Sequence, residues 1–253
     1  MRRVIFLFAL VLGVVSCRNK IEIKEIKPET ATVCIGYKMV SEIPMTKAVN
    51  QEQINQWIID NLPTNVTFKL TDAQGNRTNV TCGTPTEIPL GTYTVTARYT
   101  PVSDGSVVGS DVFFSKTEPI IIVNTSLEVT YDKANYVVPA TFGSFGIVYD
   151  LNEVASATYV SSHGESGSMP TTSVGQTAFV FVNGLLDTQY LEVTLNPRSG
   201  YKLAKHTFKS AYDPDCVTAS FGNYYIIHPY EITSVEGGSL TYSTNGFVGV
   251  EVE

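Results

Sequence analysis

Hydrophobic and polar residues alternate with a period of two along much of the chain, the pattern of strands with one buried face. Asn65–Thr71 sets Val66, Phe68 and Leu70 against Thr67 and Lys69. Asp72-Ala-Gln-Gly-Asn76 then turns the chain, with Gly75 free to adopt positive φ. Arg77–Cys82 returns with Thr78, Val80 and Cys82 against Asn79 and Thr81, and Leu90–Tyr99 places Tyr93, Val95, Ala97 and Tyr99 inward over Thr94, Thr96 and Arg98. Ala31–Val40 is a further strand. One segment departs from this period. Asn50–Leu62 opens with an Asn cap and a Gln three residues on, carries Ile54, Trp57, Ile58 and Leu62 at helical spacing, and ends at Pro63. It predicts a helix with one stripe on a core, Trp57 within it.

A polar interval at Val123–Ser126 follows the apolar strand Pro119–Val123 and predicts a domain boundary. Beyond it come Leu127–Tyr131, Phe145–Tyr149, Ser156–Val160, Ala178–Val182, Tyr190–Leu195, His206–Tyr212, Phe221–Ile227 and Phe247–Val252 as strands, with Ser161–Gln176 as an exposed Ser/Gly-rich loop. The expected class is all-β: two tandem Ig-like or transthyretin-like β-sandwich domains, 30–124 and 125–253, with one short helix in the first.

The N-terminus has the parts of an export signal: Arg2 and Arg3, then the apolar Val4–Leu12, too short to span a bilayer. Val14-Val15-Ser16-Cys17 resembles the bacterial lipobox, which implies removal of a signal peptide spanning 1–16 and acylation of Cys17, with palmitate among the chains. Several acyl chains on one Cys give durable anchoring, since each buried CH₂ contributes about 0.8 kcal/mol. Residues 17–29 would form the lipid-anchored tether, and the membrane would be reached through Cys17. The expected location is the outer membrane, surface-exposed or facing the periplasm.

Composition narrows the class. Of 253 residues 43% are apolar and 16% charged, too apolar for a disordered chain. The net charge of −7 becomes −9 once Arg2 and Arg3 leave with the signal, which argues against a nucleic-acid partner. Beyond Cys17, three cysteines, Cys34, Cys82 and Cys216, form no Cys-x-x-Cys, and each reads as a small buried hydrophobe.

Candidate chemistry is sparse. His163, His206 and His228 lack metal-ligand spacing, and Ser161–Ser168 lacks the Gly-x-Ser-x-Gly elbow of a nucleophile. Asp213-Pro-Asp215, Asp104 and Asp111 read as turn residues. No enzyme, metal or cofactor is expected. The segment Tyr224-Tyr-Ile-Ile-His-Pro-Tyr230 is the candidate ligand or partner surface, with Tyr224, Ile226 and His228 on one strand face and Tyr225 and Ile227 on the other. Tyr224, Tyr225, His228 and Tyr230 would stack on sugars or dock a partner from whichever face lies outside.

Met45-Thr-Lys-Ala48, the helix, Asn65–Gly75 and Ile88-Pro-Leu-Gly-Thr-Tyr-Thr-Val-Thr-Ala97 resemble the fimbrillin-type lipoproteins of Bacteroidales, and Tyr190–Leu195 and Gly222–Ile226 do so more loosely. The resemblance implies β-sandwich pilus, tip or anchor subunits acting by protein–protein contact. Polymerising fimbrillins need an Arg-directed cut, but between Arg18 and Arg77 there is no Arg, so an anchor or accessory subunit that keeps its lipid is the closer expectation. Partners would be other envelope or pilus proteins. The alternative is a glycan-binding accessory lipoprotein of a polysaccharide uptake system.

Overall fold

The computed structural model describes residues 29–40, 51–231 and 248–252, with Cys17 and the rest of the expected tether up to residue 28 outside this range. In chain order the elements are β1 (Thr30–Met39), α1 (Gln51–Asp60), β2 (Thr67–Thr71), β3 (Arg77–Thr81), β4 (Thr86–Pro89), β5 (Gly91–Tyr99), β6 (Gly105–Val108), β7 (Val112–Ser115), β8 (Ile121–Val129) and β9 (Asn135–Phe142). They continue as β10 (Ser144–Asp150), β11 (Val154–Ser161), β12 (Ser166–Ser168), β13 (Thr172–Val174), β14 (Thr177–Asn183), β15 (Leu191–Pro197), β16 (Tyr201–Lys202), β17 (Ala204–Lys209), β18 (Val217–Thr218), β19 (Asn223–Ile227), β20 (Tyr230–Glu231) and β21 (Val248–Val252). The chain is all-β with one helix among the described residues, as the alternation predicts.

The first sheet runs β3-β2-β5-β8-β9-β1-β4. β8 and β9 share only the pairs Ile121↔Phe142 and Ile122↔Thr141, so the sheet turns a corner there. Its two end strands are consecutive in sequence. In the link between them Cys82 N–H donates to Val66 O (2.8 Å) and Gly83 N–H donates to Ile35 O (3.0 Å), which ties β2 to β1. The sheet therefore folds over itself as a sandwich, β3-β2-β5-β8 against β9-β1-β4. Phe68, Leu70, Val80, Tyr93 and Val95 share a core with Val33, Ile35, Tyr136 and Val138.

A second sandwich pairs the sheet β21-β19-β10-β14-β7-β6 with β12-β11-β15-β17-β18. In its first sheet the apolar runs show no alternation of burial: Phe145–Tyr149 and Ala178–Val182 are buried at every position apart from the glycine's missing side chain. One set of side chains, Phe145, Ile147, Val180, Val182, Tyr225 and Ile227, fills the second core, and the other, Val148, Phe179, Phe181, Tyr224 and Ile226, joins the first. This central sheet is covered on both faces, the circumstance in which a strand reads as a continuous apolar run. α1 helps cover it: Ile54 and Ile58 are buried, and Trp57 lies 5.3 Å from the Phe179 ring centroid.

The expected boundary at 124/125 falls inside β8, which pairs with β5 from Gly91↔Val129 to Tyr99↔Ile121. Ile121–Val123 and Leu127–Val129, expected in two separate strands, thus belong to one. The polar interval that read as a linker is the solvent-facing set of that strand, with Asn124 and Ser126 exposed between buried Val123 and Val129. The chain also crosses early: β7 pairs with β14 in the central sheet (Phe114↔Val182) before β8 and β9 return to the first sandwich. Ser161–Gln176, expected as an exposed loop, contains β12 and β13 and buries Met169 and Val174.

Candidate functional site

The Tyr-rich segment lies on β19, between β10 and β21, both parallel to it. Tyr224 is fully buried and Tyr225 is 2% exposed. The Tyr225 ring packs edge-on against Phe145 (6.0 Å) and Phe208 (5.7 Å), and its hydroxyl donates to Thr218 O (2.8 Å) while accepting from Ser220 N–H (2.8 Å). Burial raises the hydroxyl pKa of Tyr224 far above the ordinary tyrosine value. The expectation that one face of this strand is open is therefore corrected for Tyr224 and Tyr225: each face meets a core because the sheet sits between two others.

His228 follows β19 and is half-buried. Its Nδ1 lies 2.9 Å from Glu153 Oε2, and its carbonyl is 2.9 Å from His206 Nε2. His206, on β17, is 5% exposed, and desolvation lowers its pKa. These contacts join the β10–β11 turn, β17 and the end of β19, so His228 serves as a staple between the sheets of the second sandwich. Tyr230 pairs its backbone with Lys202 in β16–β20; its side chain is outside the described residues, as is Cys17.

Cys34, Cys82 and Cys216 are free thiols, each half-buried rather than enclosed. Burial is the first cause raising the Cys82 pKa, and nearby Cys34 adds to it. Asp213 forms an ion pair with Lys209 and accepts from Asp215 N–H (3.0 Å), turn chemistry as expected. Among the described residues no group of three or more His, Cys, Asp or Glu side chains is placed to hold a metal ion. No described helix is long and apolar enough to cross a membrane.

Two features that sequence alone leaves indistinct are defined by the pairing. The first is the edge of β1. Its first half pairs with β4, Thr30↔Pro89 to Val33↔Thr86, and its second half pairs with β9, Cys34↔Asn135 to Met39↔Ala140. These neighbours lie on opposite sides: Glu29 O accepts from Leu90 N–H (2.9 Å), whereas Cys34 N–H donates to Ala134 O (2.7 Å). Because main-chain groups of successive strand residues point to alternate sides, Thr32 on one side and Met39 on the other face no paired strand among the described residues. The second is the outer face of β3-β2-β5-β8, where the polar halves of four alternating strands come together.

No protein-family profile and no curated protein matches the chain. Among solved structures it is similar to a candidate cell adhesion protein from Bacteroides thetaiotaomicron, at 13% identity and TM-score 0.42, over 84% of this chain and 100% of that one. A candidate cell adhesion protein from Bacteroides eggerthii matches at 9% identity and TM-score 0.39, over 88% of this chain and 98% of the other. One from Bacteroides fragilis matches at 11% identity and TM-score 0.39, over 78% and 91% respectively.

Proposed function

We propose that this is a lipid-anchored cell-envelope protein with a structural or adhesive role, a fimbrillin-like anchor or accessory subunit that acts by protein–protein contact. The observation that carries this reading is the half-covered β1, whose open main-chain groups can accept a partner's strand by edge pairing. The lipobox-like Val14–Cys17 supports the anchor, since cleavage and acylation there would hold the sandwiches at the membrane. The role needs no bond-breaking chemistry: recognition comes from main-chain hydrogen bonds at the edge.

The test is envelope fractionation joined to photo-crosslinking. A photoreactive residue at exposed Lys38 on β1 should yield a cross-linked envelope partner in native membranes, while the same residue at exposed Lys205 on β17 yields none. Cys17→Ala should release the chain from the membrane fraction. Retention of Cys17→Ala in membranes would overturn the anchor, and an uncrosslinked Lys38 site would overturn edge pairing.

A further inference from the structure

We infer that the outer face of β3-β2-β5-β8 is a binding surface for an acidic polysaccharide, whose carboxylate or sulfate groups sit on a diagonal line of Arg77, Lys69 and Arg98. The face is built by register. Lys69 lies opposite Asn79 on β3 and Thr96 on β5, while Thr71 lies opposite Arg77 and Thr94. Arg77 is two residues from Asn79, and Arg98 is two residues from Thr96 in the opposite direction along the sheet. The two arginines are therefore diagonal neighbours of Lys69 on either side, each about 7–8 Å away at the Cα level. Phe68, Leu70, Val80 and Val95 are all buried, so the intervening residues point outward.

The surroundings suit a sugar chain. Thr67, Thr71, Thr94, Thr96, Asn79, Asn124 and Ser126 surround the cations with hydroxyl and amide groups at sheet spacing. Among the described residues Arg77, Lys69 and Arg98 take no part in an ion pair. Two acids lie toward the ends of the face, each still charged. Asp72, in the β2–β3 turn, accepts from Gln74 N–H, Asn76 N–H and Asn76 Nδ2 at 2.8–2.9 Å, and Glu128 pairs with Thr92 at the far end of the face.

Three cations outside any ion pair among the described residues, on one face of a chain with net charge −7, are a local exception that complements an anionic ligand. The type of anion follows from what the face lacks. It carries no aromatic ring for a base to stack on and too few cations to neutralise a duplex. It also projects no large apolar side chain for a lipid surface; Ile122, the most apolar of the outward β8 residues, is half-buried. Spaced charges among hydroxyl-bonding groups match a polymer of charged and neutral hydroxylated sugars. This inference rests on a different surface from the β1 edge, so either can fail without the other.

The test is affinity electrophoresis of the full chain in detergent through gels holding polygalacturonate, chondroitin sulfate or neutral dextran. A single-stranded oligonucleotide and phosphatidylglycerol vesicles serve as polyanion controls. Retardation by one or both acidic glycans, but not by dextran, is expected, with the two gels separating carboxylate from sulfate recognition. Arg77→Gln/Lys69→Gln/Arg98→Gln should weaken retention about tenfold or more, roughly 1.4 kcal/mol, while Lys205→Gln on the second sandwich leaves it unchanged. Circular dichroism checks that the triple variant folds, and the single Arg98→Gln, which should weaken retention in part, replaces it if it does not. No retardation by either glycan, equal binding to oligonucleotide or vesicles, or retention untouched by the substitutions would each overturn the proposal.

Discussion

Trp57 of α1 stacks on Phe181 of β14, with ring centroids 6.1 Å apart and planes 22° from parallel. The contact joins a helix inserted between two strands of the first sandwich to the central sheet of the second, so the two sandwiches share one apolar junction. Phe179 completes it, meeting Phe181 edge-on at 4.7 Å.

Replacing Trp57 with Ala should destabilise the protein by about 2–4 kcal/mol, because a half-buried indole leaves a gap against two phenyl rings. As Trp57 is the sole tryptophan, its fluorescence in the unaltered protein reports on the junction directly. Chemical unfolding followed by fluorescence and by circular dichroism should give one midpoint, and an earlier fluorescence transition would show that the helix undocks separately.

Gly184 and Gly200 share φ +102°, but their surroundings differ. A Cβ on Gly184 would lie 2.3 Å from the Asp111 carbonyl oxygen, whereas at Gly200 nothing lies within 4 Å. Gly200→Ala should cost about 1 kcal/mol of backbone strain. Gly184→Ala must also move backbone between β7 and β14 and should cost about 3 kcal/mol or more. Denaturant midpoints of the two variants give the comparison.

Adjacent tyrosines on β19 should behave in opposite ways. Tyr225→Phe removes the hydroxyl that bonds Thr218 O and Ser220 N–H and should cost about 1–2 kcal/mol. The Tyr224 hydroxyl is buried and has no partner among the described residues, so Tyr224→Phe should be neutral or stabilising. Thermal unfolding of both variants is the measurement, and a loss at Tyr224 would reveal a hydrogen bond from the remaining chain.

His206 should make the protein acid-sensitive at mild pH. Its folded pKa lies below the ordinary 6.5 because burial disfavours the charged ring. The unfolded chain therefore binds the extra proton first, and stability present above pH 6.5 is lost as pH falls toward the depressed folded value. The slope should approach about 1.4 kcal/mol per pH unit at most. Asp72, Asp132, Glu165 and Asp213, all held below the ordinary carboxylate range, add their losses only at lower pH. In His206→Phe the decline that sets in as pH falls below about 6.5 should be absent.

Local pattern decided the strands and the helix wherever one face of an element meets a core and the other meets solvent. Asn65–Thr71 and Leu90–Tyr99 alternate in sequence and alternate in burial, and the Ile54–Ile58 stripe is the buried face of α1. The same reading missed β9, although Tyr136, Val138, Ala140 and Phe142 alternate, because Pro139 interrupts the pattern on its exposed, edge-tolerant side. It also missed β6 and β7, whose few residues carry too little periodicity to stand out from turns.

The sequence by itself determined a secondary-structure class, a turn chemistry and an expected lipid address, since each depends on neighbours in the chain. Only the tertiary structure decided which apolar runs are buried twice, why Tyr224 and Tyr225 are interior, and how β6–β7 and β8–β9 exchange sandwiches. Those outcomes depend on which sheet stacks against which, and alternation in a single strand holds no information about the layer above it. The line of Arg77, Lys69 and Arg98 follows the same rule. Each is legible as an outward residue of its own strand, but cross-strand register, set by hydrogen bonds between residues distant in sequence, brings the three charges onto one diagonal.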